Sequence, residues 1–272
     1  MFKAACIQIN SSNNMDDNIN RSIELIKEAK NSGADFVFTP ENTCFMSYDR
    51  KDFFNNIDEM EVHKAFVAYK QLAKELDIWL LIGSIAVVSP DEKGRAFNRS
   101  ILFDNSGNVV SKYDKIHLFD VELPTGERFA ESNNYCAGNE SVIAGTPWGD
   151  LGMTICYDLR FPHLFRHIAK QGVKFISIPA AFVRYTGEAH WEVLLRARAI
   201  ENGSYIFAPA QTGKHSDNRE TFGHSMIIDP WGKILANAGS NEGFIIAEID
   251  TSLVDETRDI IPSLKHDKDF KL

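Results

Sequence analysis

Of the four cysteines, Cys6, Cys44, Cys136 and Cys156, only Cys156 stands where a nucleophile is useful. It follows the apolar run Met153–Ile155 directly and precedes a helical pattern that begins near Pro162, in GMTICYDLRFP. A thiol at a strand–turn–helix junction is reachable from solvent, and a nearby cation or helix N-terminus favours its thiolate. The backbone N–H of Tyr157, one residue on, is placed to meet an oxyanion. Glu41 holds the analogous position after Phe36–Thr39, in FVFTPEN, where burial makes a carboxylate a better general base. Lys115, in SKYDKIHLFD, follows another strand-like stretch and offers a fixed cation beside a developing negative charge. Each has a plainer reading when taken alone: a core thiol, a solvated loop carboxylate, a surface lysine.

Other chemistries find less support. His163 and His167 are spaced four apart, as metal ligands on a helix are, but no glutamate of an H-E-x-x-H motif and no third ligand accompany them. His190 and Asn202 follow Cys156 in the order of a Cys–His hydrolase, yet only 34 residues separate Cys156 from His190. There is no Gly-rich nucleotide loop and no C-x-x-C pair. With 29 basic and 38 acidic side chains the net charge is −9, which disfavours nucleic acid and anionic membranes as partners. The longest apolar run, Ile78–Val88, is too short to span a bilayer. The opening MFKAACIQIN does not read as a secretory leader, so a cytoplasmic location with free thiols is expected.

These side chains must be positioned by alternating strands and helices. Hydrophobic residues make up 44% of the chain, enough for a core without disulfides or metal. Strands are predicted at Ala4–Ile9, Phe36–Thr39, Trp79–Val88, Arg99–Phe103, Met153–Ile155, Phe175–Ile178, Tyr205–Ala208, Ser225–Ile228 and Phe244–Ile249. Helices are predicted at Asn18–Lys30, at Val62–Leu76 with Val62 in its apolar stripe, at Pro162–Gln171 and at His190–Glu201. No linker or repeat interrupts them, so residues 1–272 read as a single α/β domain. About nine or ten strands exceed the usual four to six of one sheet, which favours two stacked sheets with helices outside. A single doubly wound sheet is the alternative.

Together, FTPEN with Glu41, KIHLFD with Lys115 and GMTICYDLRFP with Cys156 resemble the carbon–nitrogen hydrolase (nitrilase) superfamily. The likeness continues through PAAFVRYTGEAHWEVLLRARAIEN, APAQTGKH, GHSMIIDPWG and IPSLKHDKDF, across essentially the whole chain. The later motifs are most similar to the amidase branch that includes deaminated glutathione amidase, with the omega-amidases next. The resemblance implies a four-layer α-β-β-α sandwich and a homodimer or higher homo-oligomer. It implies Cys156 as nucleophile, Glu41 as general base and then acid, and Lys115 as oxyanion stabiliser. Glu131, in FAES, is the candidate assisting glutamate, with Glu122 and Glu127 as alternatives. The implied reaction is hydrolysis of a small, linear, carboxylate-bearing amide through a thioester, releasing ammonia and needing no metal or organic cofactor. Tyr157, Arg160, Phe182 and Arg184 are the candidate substrate-binding residues. Either arginine suits a carboxylate, in a pocket walled by 182–187, Phe45 and Tyr48. A Cys–His hydrolase using His190 and a catalytically silent binding protein are the competing readings.

Overall fold

The computed structural model describes every residue except Tyr48, Asp91, Asp217, Asp269 and Leu272. Two sheets form its centre. The first runs, in spatial order, Gly243–Ile249, Phe2–Gln8, Phe36–Phe38, Trp79–Val88, Ala96–Phe103 and Val109–Asp114, with Tyr135–Cys136 also paired to Ala96–Phe103. The second runs Ile234–Asn237, Met226–Ile228, Tyr205–Ala208, Phe175–Ser177, Leu151–Met153 and Val142–Ala144. The helices are α1 (Met15–Asn31), α2 (Arg50–Asn55), α3 (Lys64–Leu76), α4 (Pro162–Lys170), α5 (Arg184–Asn202) and α6 (Ser252–Ile260). No helix among the described residues is long and apolar enough to cross a membrane.

Side-chain alternation builds the layers. Phe2, Ala4, Cys6, Phe36, Phe38 and Leu81 face the second sheet, while Ala5, Ile7, Val37, Leu80 and Ile82 pack with α1 and α3. Phe38 stacks on Phe207 of the opposite sheet at 4.5 Å, and Phe2 meets Phe175 edge-on at 5.5 Å. Leu164, Phe165 and Ile168 of α4, with Trp191 and Leu195 of α5, cover the outer face of the second sheet. The order is α-β-β-α, as the sequence leads one to expect.

Several element boundaries differ from the sequence expectation. The strand before Cys156 is Leu151–Met153, so Thr154 and Ile155 run on beyond it and Cys156 opens a short 3-10 helix, Cys156–Arg160. Val62 belongs to a separate 3-10 turn and is 67% exposed. His63 interrupts the helical run there and caps α3, its Nδ1 accepting from Ala65 N at 3.2 Å. Helix α5 begins at Arg184 rather than His190. Its early residue Gly187 disfavours helix by itself, but a Cβ there would collide with Phe222, so packing selects it. The additional strands are short. The hairpins Asp120–Glu122/Arg128–Ala130 and Thr212–Lys214/Glu220–Phe222 are too brief and too polar to show an alternation.

One glycine shapes the approach to the site. The pairing of Trp79–Val88 with Ala96–Phe103 shifts register between Ile82 and Ile85, and the turn carrying Glu41 docks into that irregularity. Gly83 N donates to Thr39 Oγ1 at 3.0 Å, Asn42 N to Ser84 Oγ at 2.9 Å, and Thr43 N to Ser84 O at 3.1 Å. A Cβ on Gly83 would collide with the carbonyl oxygens of Thr39 and Pro40. Gly83→Ala is therefore expected to destabilise the protein by about 1–3 kcal/mol. It should also lower turnover per folded molecule by moving Glu41, as thermal unfolding combined with active-site titration would measure.

Candidate active site

Four side chains that are far apart in sequence converge at the strand ends of the two sheets. Lys115, only 2% exposed, follows Val109–Asp114 and is fixed by its own backbone: its N–H donates to Asn98 O at 3.0 Å and its carbonyl accepts from Gly138 N at 2.8 Å. Its Nζ donates to Glu41 Oε1 at 2.8 Å and to Glu131 Oε1 and Oε2 at 3.0 and 2.8 Å. Asn98 Nδ2 donates to the same two carboxylates, at 2.9 Å to Glu41 and 3.0 Å to Glu131. Glu41 Oε2 accepts from Ala181 N at 2.8 Å, and Glu131 Oε2 from Phe119 N at 2.7 Å. Every carboxylate oxygen thus has a donor, which is the condition for burying charge at all.

Cys156 completes the group at the same cavity, its thiol near enough to Glu41 for each to influence the other's charge. Its backbone takes φ = +47°, a left-handed conformation that disfavours a residue with a Cβ. Its N–H donates to Pro179 O at 2.9 Å. Strain of this kind aims a nucleophile out of the regular chain path.

Electrostatics assign the protons. Burial alone pushes the Glu41 carboxyl upward, but the Lys115 ammonium, and more weakly Arg219, outweigh it and hold it below the usual range. Burial, and then the negative charge of Glu41, push the Cys156 thiol well above the usual thiol range, against the opposing pull of Lys115. Burial works against the charge on Lys115, yet Glu131, Glu41 and Cys156 keep it protonated well above the usual range. At neutral pH the resting state is an ionised Glu41, a charged Lys115 and a neutral thiol. Such a thiol needs a base at the moment of attack.

The group lies at a cavity of about 330 Å³, whose wall includes Phe45, Phe119, Phe129, Tyr157, Phe182 and Arg219. Glu131 is the glutamate brought to Lys115. Glu122 pairs with Arg128 on the surface, and Glu127 accepts from Thr125 Oγ1. Phe45, Tyr157 and Phe182 line the cavity, while Tyr48 lies outside the described residues. From 182–187, Phe182, Val183 and Thr186 face the cavity, the last from the first turn of α5. The two expected arginines do not line it. Arg184 is exposed and paired with Glu188 and Glu220, because as the first residue of α5 it projects from the helix end. Arg160 sits behind the wall, over the rings of Phe182 at 5.2 Å and Tyr157 at 6.0 Å, with Nη1 3.3 Å from His190 Nδ1. His190 is exposed and is not among the residues that line the cavity. His163 packs edge-on against Phe161, and no group of three or more metal-ligating side chains gathers among the described residues. Cys6 and Cys44 are buried in the core, with burial raising both thiols.

Two residues at the site escape a reading of the sequence. Arg219 lies in the loop of the Thr212–Lys214/Glu220–Phe222 hairpin, with Nη2 donating to Ala181 O at 2.6 Å and its guanidinium over Phe129. Nothing in NRETF separates it from a surface arginine. Asn98 is a buried polar residue of the strand Ala96–Phe103, where its neighbours Arg99 and Ser100 are polar too, so the sequence does not single it out.

Comparison with known proteins identifies the family. The carbon–nitrogen hydrolase family matches residues 3–259. A Synechocystis protein named deaminated glutathione amidase is 40% identical over 97% of both chains. The human protein of that name is 37% identical over 96% of this chain and 81% of its own. The Caenorhabditis elegans NitFhit crystal structure superposes with a TM-score of 0.91 at 36% identity, covering 98% of this chain and 65% of that one. Saccharomyces cerevisiae Nit3, of the nitrilase superfamily, gives 0.86 at 30% identity over 96% and 94%. This chain belongs to the carbon–nitrogen hydrolase family of the nitrilase superfamily, as a hydrolytic enzyme of its amidase type.

Proposed function

We propose that the protein hydrolyses a small, linear, carboxylate-bearing amide of the deaminated glutathione type through a thioester on Cys156. The observation that supports this is the convergence of Glu41, Lys115, Glu131 and Cys156 at one cavity. Glu41 takes the thiol proton as sulfur attacks the amide carbon. The carbonyl oxygen becomes an oxyanion held by Lys115 Nζ and the Tyr157 backbone N–H. Glu41 then protonates the leaving nitrogen, the C–N bond breaks, and a thioester remains. Glu41 next activates water, the thioester is cleaved, and the proton returns to the thiol. Glu131 holds Lys115 in place with two hydrogen bonds throughout. A primary amide releases ammonia; a peptide-type amide, as in deaminated glutathione, releases an amine. The name of the Synechocystis relative favours the second. Three arginines line the cavity, but Arg50 is tied to Asn134 and Gly94 and Arg128 is paired with Glu122, so Arg219, beside Ala181, is the cation this reading assigns to the substrate carboxylate in place of Arg160 and Arg184.

Assay of a panel containing deaminated glutathione, alpha-ketoglutaramate and neutral primary amides, with both acid and amine products measured, tests the substrate class. Preference for alpha-ketoglutaramate would move the protein to the omega-amidase reading. Mass spectrometry of Glu41→Gln incubated with the preferred amide is expected to show an acyl adduct on Cys156, and Cys156→Ala should show neither adduct nor turnover. Arg219→Gln should raise KM for the carboxylate-bearing amide about 10- to 100-fold, the value of one charged hydrogen bond at about 1.5–3 kcal/mol. KM for a neutral amide should stay within a few-fold.

The pH profile follows from the lowered Glu41 carboxyl. Its ionised form is the base, so activity should persist as pH falls through about 4.3, the ordinary glutamate value, and be lost only below it. In Lys115→Gln, burial is left without its main opponent, so the acid limb should move upward. Alkylation of Cys156 by iodoacetamide as a function of pH measures this even where turnover is lost.

A further inference from the structure

We propose that Asp158 is a positioning residue, a clamp that sets Lys115 against Cys156 by binding the chain on both sides of the lysine and on the near side of the thiol. The proposal rests on the amidase reading above. Asp158 is fully buried. Its Oδ2 accepts from Tyr113 Oη at 2.6 Å and from Ile155 N at 2.8 Å. Its Oδ1 accepts from His117 N at 3.1 Å and lies 2.7 Å from His117 Nδ1. Tyr113 is two residues before Lys115, His117 two residues after it, and Ile155 directly precedes Cys156.

These two segments come from different sheets, and no β-ladder joins Val109–Asp114 to the Cys156 turn. The carboxylate supplies the joint instead. It also caps the 3-10 helix through Ile155 N, so the left-handed turn at Cys156 is held by this bond together with that from Cys156 N–H to Pro179 O. The His117 ring stacks on Phe161 at 3.5 Å and 9°, so the far end of the same short helix is tied to the lysine segment as well. Tyr113 Oη accepts from Ile116 N at 3.3 Å, which fixes the direction in which its own proton points.

The chemistry explains why such a joint matters. The amide carbon must bond to sulfur while its oxygen meets Lys115 Nζ, so the separation of these two atoms sets how well the oxyanion is held. A displacement of about 1 Å at a reacting centre costs roughly 10²-fold in rate. An ionised carboxylate suits this joint better than an amide. Asn presents one acceptor oxygen and an NH2 group, so one edge would face a backbone N–H instead of accepting from it.

Asp158→Asn and the milder Tyr113→Phe test the clamp, with kcat expressed per Cys156 able to react with iodoacetamide. Alkylation is a displacement that needs the thiol and Glu41 but makes no oxyanion, so it separates alignment from activation and from folding. We expect kcat per reactive site to fall roughly 10²-fold in Asp158→Asn and roughly 10-fold in Tyr113→Phe. KM and the alkylation rate should stay within about threefold, and the double variant should be no slower than Asp158→Asn. An unchanged kcat per reactive site in both variants would mean that Asp158 serves stability only. A fall in alkylation that matches the fall in kcat would place the effect on thiol activation. Either result overturns the clamp while unmodified protein still turns over amide. If the unmodified protein hydrolyses no amide, the amidase reading fails and the clamp fails with it.

Discussion

The site is organised by one buried ammonium. Taking Lys115 out of water is unfavourable by itself, and so is burying Glu41; each is tolerable only because the other is there. Glu131 and Asn98 complete the arrangement, giving two carboxylates and one ammonium an ordered set of donors. A cluster of this kind adds little net stability, and removing one member leaves uncompensated buried charge costing about 3–5 kcal/mol. Its value lies in function: it holds an ionised base and a fixed cation within hydrogen-bond reach of each other beside a thiol.

Such a cluster can form only where several chain segments end together. Stacking two sheets brings the residues after Phe36–Phe38 and Val109–Asp114 of one sheet near those after Leu151–Met153 and Phe175–Ser177 of the other. Gln211 joins the seam, its Nε2 donating to the carbonyls of Glu41 and Asn42 at 3.0 and 3.2 Å and to Ser11 Oγ at 2.8 Å. Gly83 and Gly138 permit the close backbone approaches beneath Glu41 and Lys115; a Cβ on Gly138 would collide with Asp114 O. The fold therefore supplies backbone donors, notably Ala181 N and Phe119 N, at points that side chains alone could not fill so rigidly.

What could be read in advance follows the range of each interaction. Strands such as Trp79–Val88 and Tyr205–Ala208 are strongly apolar, and their limits agree with the structure. Glu41 and Cys156 stood out because each follows an apolar run, and Lys115 because it follows a strand-like stretch; those local settings are visible in the chain. Arg184 and Arg160 were chosen for nearness in sequence to Cys156 or to the α5 segment, whereas the arginines that line the cavity, Arg50, Arg128 and Arg219, lie in segments remote from Cys156. Charge complementarity is a property of space, and sequence separation carries no information about it. The helix start at Arg184 was hidden for a related reason: Gly187 is dictated by its contact with Phe222 rather than by helix propensity.

The raised Cys156 thiol looks at first like a poor design for a nucleophile, but it follows from the economy of charge in the cluster. With Glu41 ionised, a thiolate would place a second anion in the same dry space. In the proposed reaction, proton transfer to Glu41 neutralises the carboxylate as the new negative charge appears on the carbonyl oxygen. The charge of the cluster is then the same before and after attack, and a single anion has moved between two positions beside Lys115. Preorganised charges that need no rearrangement lower a barrier most effectively. The same balance leaves the resting thiol protonated and weakly reactive towards electrophiles that cannot accept the displaced charge. On the proposed mechanism, selectivity for amides over stray electrophiles resides in the Glu41–Lys115 pair as much as in the shape of the cavity.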